Sequence, residues 1–539
     1  MREEMWQRLQ GEFDLLVIGG GATGAGVALE ATLRGLRVAL VERYDFSEGT
    51  SSRSTKLIHG GIRYLELALR SADGRHLRLV YEALAERRRI LGSAPHLCRR
   101  LWIVVPCRHW REWSYYSAGV QLYDLLAGQY RLARPRYFSA EAVALRGLGL
   151  TAPAGGVAFT DGQFDDARLN WTLIRTAIAF GAVAMNHVAV VALQKVGGRV
   201  RAARVRDRWT GEEREIAARV VVNAAGPFAD EVRRLVDASA EPILQPSAGA
   251  HLVLRPRQPL PSLGVLIPRT EDGRVVFVLP WYGHWLVGTT DVACAVVERP
   301  GVSEAETDYL LRQIRSYLPE VAALPITARW SGIRPLLRDN VGSTAQALRQ
   351  HRIEDLQGLV TIVGGKWTTY RLMAEELLDW LAERGLRMRR SRSPAVPIFG
   401  SPRWATSLSP ESATKDRTRI SEGRIADYAT SAPDDVREHL LQYGTEAAVV
   451  GRLAQEYPGR LLEAWPFLRA EVVYATRFEM ARTPMDFLAR RIRLAFLDTQ
   501  AAKSAVPEVT GLMAAELGWD TSARLVMEAK ALEQLMNAL

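Results

Sequence analysis

The stretch "DLLVIGGGATGAG", beginning at Asp14, carries Gly19, Gly21 and Gly24 in G-x-G-x-x-G spacing directly after an apolar run. Glycines so placed permit a tight turn, close approach of backbone to a pyrophosphate, and close packing of a following helix on a strand. The start of that helix offers unpaired N–H groups and a partial positive charge to phosphate. A second apolar run, "LRVALVE", ends at Glu42, whose carboxylate can accept hydrogen bonds from a ribose diol and repels a 2′-phosphate. Strand, glycines, helix, strand and acid in this order point to a dinucleotide site, with FAD and NAD both open on these residues alone.

Two later turns favour FAD. "VVNAAGPFAD" sets Ala225 and Gly226 at the end of a strand, and "VGGKWTTYR" sets Gly364 and Gly365 at a helix start, followed by Lys366 and Thr368. A long dinucleotide lying across a sheet suits contact from several such turns. Just after the Glu42 strand, "GTSSRSTKLIHGG" gathers the hydroxyls of Thr50, Ser51, Ser52, Ser54 and Thr55 and the cation of Lys56. That composition fits flavin and pyrophosphate contacts, and it fits a solvated Ser-rich loop equally well.

Strand-like and helix-like segments alternate as far as about residue 385, which predicts an α/β architecture with a parallel sheet. The strands "FDLLVIGG", "ARVVVNAAG" and "QGLVTIVGG" are expected side by side in one sheet. Intervening segments such as "HLVLRPR", "RVVFVLPW" and "HWLVGTTD" form a second domain. A length of 539 residues calls for more than one core. The expected division is an oxidoreductase region over 1–385, a linker over 386–410 that follows the Arg, Ser and Pro-rich run from Arg384, and a helical C-terminal domain over 411–539. Within the first region the nucleotide-binding part takes about 1–85, 155–245 and 350–385, and an inserted substrate or cap part takes about 86–154 and 246–349.

Composition excludes several classes. Cys98, Cys107 and Cys294 make neither a CxxC pair nor a disulfide framework, which argues for a reducing compartment and against a structural zinc site; no metal is expected. No run reaches the roughly 18 to 20 apolar residues needed to cross a bilayer, and the charged start "MREEMWQRLQGEF" is no signal peptide. The expected location is therefore the cytosol. The net charge of +10 permits anionic partners without choosing one, and the scattered arginines form no nucleic-acid module, so no nucleic acid is expected.

On "GGGATGAGVALEATLRGLRVALVE", "GTSSRSTKLIHGGIRYLE", "DGQFDDARLN", "VVNAAGPFAD", "GTTD", "SGIRPLLRD" and "VGGKWTTYR", the chain resembles the FAD-dependent, aerobic-type glycerol-3-phosphate dehydrogenase family, part of the D-amino-acid-oxidase-like flavoproteins. "RFEMARTPMDFLARRIRLAF" is similar to the family's helical C-terminal domain. The resemblance implies a FAD-binding Rossmann-like domain with an inserted α+β substrate domain. It also implies oxidation of sn-glycerol 3-phosphate to dihydroxyacetone phosphate, and electron transfer to a quinone by an enzyme attached to the inner face of the cell membrane. A homodimer is expected. It points to Arg63, Arg334, Arg349 and Lys366 as the cations that hold the substrate phosphate, with Arg334 and Lys366 close to the reacting centre. His59 and Gly60 would carry backbone past the isoalloxazine.

Removal of the hydroxyl proton calls for a base near neutral pH, and His251 in "SAGAHLVL" is the candidate, with His59 and His351 in reserve; a core histidine is the competing reading. "EALAERRRI" and "CRHWREWSYYSAGVQLYDLL" are candidate membrane contacts. An oxidase that uses O₂ and a non-catalytic flavin-binding scaffold are the rival functions.

Overall fold

The structure, a computed structural model, describes residues 1–61, 74–141, 150–338, 351–404 and 432–537. Two sheets organise it. In the first, strand order is His351–Leu356, Leu359–Gly364, Glu213–Asn223, Phe13–Ile18, Val38–Val41, Val183–Met185, and the five strands after the first run parallel. The three apolar strands expected side by side are neighbours here: Leu15 pairs with Val220, and Val221 with Leu359. Val38–Val41 is buried at every position, as a central parallel strand covered on both faces requires.

Among the described residues the second sheet has ten strands, with Ser247–Leu254, His284–Gly288, Val276–Trp281, Leu263–Ile267 and Cys98–Pro106 along its main path. Gly156–Phe164, expected with the nucleotide-binding part, is buried throughout and pairs residue by residue with Cys98–Pro106, so it belongs to this sheet. Leu57–Ile58 joins the same sheet by pairing with Gly162 and Gln163. The loop after Glu42 therefore leads straight from one sheet into the other.

Among the described residues beyond 432, helices dominate, including Arg469–Phe478, Thr499–Leu517 and Thr521–Met536. This region packs against the second sheet. Phe487, Leu488, Ile492 and Phe496 share one core with Val253, Trp281, Leu286 and Trp330 of the second sheet. Full burial of each such side chain contributes roughly 1.5–3 kcal/mol relative to exposure, so the contact is a firm one. Among the described residues, no helix is long and apolar enough to cross a membrane.

Candidate functional site

The first glycine turn sits between Phe13–Ile18 and the helix Ala22–Leu33. Gly19 has φ +110, open to glycine and strained for other residues, and a Cβ on Gly24 would lie 1.8 Å from the carbonyl oxygen of Gly19. Gly24 thus lets the helix seat on the turn. Glu42 closes the turn from the next strand: Gly20 N and Tyr44 N donate to its two oxygens at 2.7 and 2.9 Å. Burial raises its carboxyl above the ordinary range, against the pull of these two backbone donors.

The other expected turns close on the same point. Ala22 N donates to Ser51 Oγ at 2.9 Å, Trp367 Nε1 donates to Ser51 O at 2.8 Å, and His59 N donates to Thr368 Oγ1 at 3.3 Å. Gly226, Gly364 and Gly365 all have positive φ. A cavity of about 920 Å³ results, lined by Gly19, Gly21, Glu42, Thr50, Ser51, Ser54, His59, Ala225, Gly226, Gly364, Gly365, Lys366 and Thr368.

The same cavity continues to the second sheet, where His251 and Arg334 line it. Arg334 ends the strand Ile326–Arg334, and its guanidinium donates to Thr289 Oγ1 at 3.0 Å, Thr290 O at 2.9 Å and Asp291 Oδ1 at 3.3 Å. His251 is buried, stacked on Trp330 with ring centroids 4.1 Å apart, with Nε2 2.9 Å from Thr55 Oγ1. Burial, then the cations of Lys56 and Arg334, hold its imidazole well below the ordinary histidine range, so it is neutral at pH 7. Its neighbour on the facing strand is Gly288, where a Cβ would lie 2.3 Å from the ring. The competing reading of His251 as a core histidine is half right: the ring is packed as one, yet it faces the cavity.

Other placements differ from expectation. Lys56 does not line the cavity. Its ammonium is wholly buried and donates to Asp166 Oδ2 and Ser52 O, both at 2.7 Å, and burial pushes its pKa down to about 7. Lys56 has φ 61, which turns it out of line with the strand it precedes and toward Asp166, 110 residues further along the chain. Ser52 likewise lies beneath the lining, with its carbonyl as the acceptor. Gly60 N donates to Tyr123 Oη at 2.9 Å, and a Cβ there would meet Leu84 and Tyr123 at 2.5 Å, so it is a packing glycine beside the cavity. His351 is drawn to Glu376 at 2.7 Å and does not line it. Arg63 and Arg349 lie outside the described residues. In "EALAERRRI", Arg87 is buried against Asp161 at 2.5 Å and Glu86 is held by Arg371, so that face turns inward.

Sequence reasoning passed over Asp166, Asp291 and Trp330, and it took Thr55 as a hydroxyl for flavin and pyrophosphate contacts where the structure sets it against His251. Asp166 and Asp291 lie inside "DGQFDDARLN" and "GTTD", stretches that carried the resemblance without a role for either residue. It also passed over Arg490, Arg491 and Arg493. Their setting among Phe487, Leu488, Ile492 and Leu494 was the available signal, because an arginine in an apolar run needs a partner.

A glycine-built dinucleotide cradle opening into a pocket with a guanidinium and a neutral imidazole defines a flavin-dependent oxidoreductase. The FAD dependent oxidoreductase family profile matches residues 14–384, and that of the C-terminal domain of alpha-glycerophosphate oxidase matches 391–524. The chain is 42% identical over 540 residues to the mitochondrial glycerol-3-phosphate dehydrogenase of Arabidopsis thaliana, covering 97% of this chain and 86% of that one. It is 41% identical to the human mitochondrial glycerol-3-phosphate dehydrogenase, covering 94% and 71%. The crystal structure of glycerol-3-phosphate dehydrogenase from Bacillus halodurans complexed with FAD superposes with a TM-score of 0.76 at 27% identity, covering 100% of this chain and 97% of that one. The chain belongs to the FAD-dependent glycerol-3-phosphate dehydrogenase family.

Proposed function

We propose that the protein oxidises sn-glycerol 3-phosphate to dihydroxyacetone phosphate and passes the electrons to a membrane quinone. The observation that carries this reading is the single cavity of about 920 Å³ bounded at once by the glycine turns and by His251, Arg334 and Lys366. The turns fit FAD: Gly19 and Gly24 leave room where side chains would collide, and Glu42 directly follows Val38–Val41, the second strand of the fingerprint. When bound, the flavin supplies the hydride acceptor.

The chain's own residues supply the rest. Arg334, with Lys366 and the expected Arg63 and Arg349, grips the substrate phosphate; a planar guanidinium matches its oxygens bidentately. His251, held neutral by its surroundings, takes the C2 hydroxyl proton as the C2 hydride departs, leaving a ketone. Thr55 holds the imidazole in place.

Supporting the quinone and a peripheral seat at the inner membrane face, Tyr115, Tyr116 and Leu122 of the helix Trp110–Ala127 line the cavity. The same helix exposes Trp110 and Leu125, each 70% accessible. An apolar acceptor held at a lipid surface would thus meet the cavity wall beside its own solvent. A homodimer is part of the same reading.

Anaerobic addition of glycerol 3-phosphate to the yellow protein tests the substrate. Flavin absorbance near ~450 nm should bleach promptly, and Arg334→Ala should slow this. No bleaching with any polyol phosphate removes the reading. Oxygen consumption against quinone-analogue reduction then separates the acceptors.

A further inference from the structure

We propose that Arg493, carried by the C-terminal helical domain, is a positioning residue for substrate oxidation, acting through Ser52 and Asp166 on the Thr55–His251 pair. The inference rests on the reading of His251 given above.

Arg493 is fully buried, and its φ of 64 places it in the left-handed region. A non-glycine residue held there costs energy that surrounding contacts must offset. The contacts are these: Nη1 donates to Ala489 O at 2.7 Å, and Nη2 donates to Ser52 O at 2.7 Å and to Asp166 Oδ1 at 3.3 Å. Ser52 O also receives Lys56 Nζ, so one carbonyl of the loop is clamped by two cations.

Asp166 gathers the rest of the segment. Its Oδ2 accepts from Ser54 N at 3.1 Å, Ser54 Oγ at 2.7 Å and Lys56 Nζ at 2.7 Å. Thr55 lies between these two anchored residues, and its hydroxyl meets His251 Nε2 at 2.9 Å. The orientation of Thr55 is therefore set by a charge cluster whose far member comes from a different domain.

The other end of the loop is fixed from the same segment. Arg490 Nε and Arg491 Nη1 donate to Asp45 Oδ2 at 2.6 and 2.8 Å. Asp45, His187 and Asp486 bring ligand atoms within 4.8 Å of one another, a spacing that could suit a cation. Arg490 bridges Asp45 and Asp486 and His187 Nε2 meets Asp486 at 2.9 Å, so donors of the chain already fill that cluster. The run "RRIR" therefore holds residues 45–56 at both ends.

The test uses FAD-loaded Arg493→Lys, which keeps the charge and loses the forked contact, and Arg493→Met, which loses both. At saturating glycerol 3-phosphate the limiting rate of anaerobic flavin reduction should fall about 5-fold in the first and about 50-fold or more in the second. The substrate concentration for half-maximal rate should stay within twofold, because no phosphate contact is touched. Thr55→Val should slow reduction too, and adding Arg493→Lys to it should slow it little further, the non-additivity expected of residues acting in series. Leu535→Ala, buried in the helix Thr521–Met536, serves as the control that lowers stability without touching the loop.

Hydrogen exchange of the peptide spanning 45–56 should rise in both Arg493 variants and not in Leu535→Ala, whatever the substrate proves to be. If wild-type flavin is not bleached but this exchange rises, the substrate reading fails and the clamp stands. Wild-type exchange in the variants, a wild-type reduction rate in Arg493→Lys, or additive slowing in the double variant overturns the proposal; should Arg493→Met fail to accumulate, Arg493→Lys alone decides it.

Discussion

The loop spanning residues 45–56 is held from two sides by opposite kinds of chemistry. On one side is the glycine turn, where the absence of side chains lets the loop come up to its backbone: Ser47 N donates to Gly20 O at 3.1 Å, and Ala22 N to Ser51 Oγ at 2.9 Å. On the other side three guanidiniums from the C-terminal domain reach in to Asp45 and Ser52. The first grip costs little to desolvate and leaves the cavity side open for a pyrophosphate. The second buries cations, which is tolerable only because each meets a carboxylate or carbonyl. The glycine side thus makes room for the cofactor, whereas the arginine side fixes the loop that faces it.

If that division of labour is right, damage to the glycine side should remove the cofactor outright. In Gly24→Val the added Cβ would lie 1.8 Å from the backbone oxygen of Gly19, and neither atom can move without displacing the turn. FAD affinity should fall at least about 100-fold, roughly 3 kcal/mol, and the purified protein should lose its visible flavin absorbance. A yellow Gly24→Val protein would break the comparison at its first term. Next in size is Arg334→Ala, which spares both grips and removes one charged phosphate contact worth about 1.5–3 kcal/mol. Steady-state kinetics should show kcat/KM for glycerol 3-phosphate reduced about 10- to 150-fold with FAD retained.

The two grips also differ in how far the sequence disclosed them. The glycine turn was legible because its parts are consecutive: strand, three glycines, helix, strand and Glu42 fall within thirty or so residues, and each type has a local reason. Adjacency of the strands at 13–18, 213–223 and 359–364 followed from their apolar character and the glycines after them. Arg334 was legible for a related reason, an arginine in the apolar setting "SGIRPL". Arg490, Arg491 and Arg493 have the same signature, but their partners Asp45, Ser52 and Asp166 lie in earlier, separate segments, and no spacing rule joins them. Lys56 was misplaced because a lysine in a Ser-rich loop reads as exposed, and only a positive φ, set by tertiary contacts, turns it inward. The C-terminal domain yielded helical periodicity and no function, since its contribution is to another domain's loop.

Weakening the arginine side should do less to the cofactor and more to stability. In Arg491→Ala, the fully buried Asp45 keeps Arg490 but loses two donors at 2.8 and 3.1 Å. Breaking a buried pair costs about 3–5 kcal/mol, so thermal unfolding should begin several degrees lower. FAD affinity should fall only about 10-fold, well short of the Gly24→Val loss. Equal losses of FAD in the two variants would mean that the sides are not specialised.

The smallest effect is a shift in pH dependence. Burial and the nearby cations of Lys56 and Arg334 lower the His251 pKa below its unfolded value near 6.5. A lowered value means the neutral, proton-accepting form persists as the medium turns acid and is lost only as pH falls through the folded value. The associated stability has the same sign: it is fully present above about pH 6.5 and drains away as pH drops through the folded value. The limiting rate of flavin reduction at saturating substrate should therefore lose nothing to His251 protonation from pH 8 to about 6.5 and fall on that account only below it. Lys56, pushed down to about 7, is protonated through that acid range, so its charge is present when His251 titrates. Lys56→Met removes one of the two cations while Arg493 still holds Asp166, and the acid limb should move toward higher pH by less than about one unit. An unmoved limb would show that burial alone sets the imidazole, leaving the charge cluster behind the loop with a purely positional part.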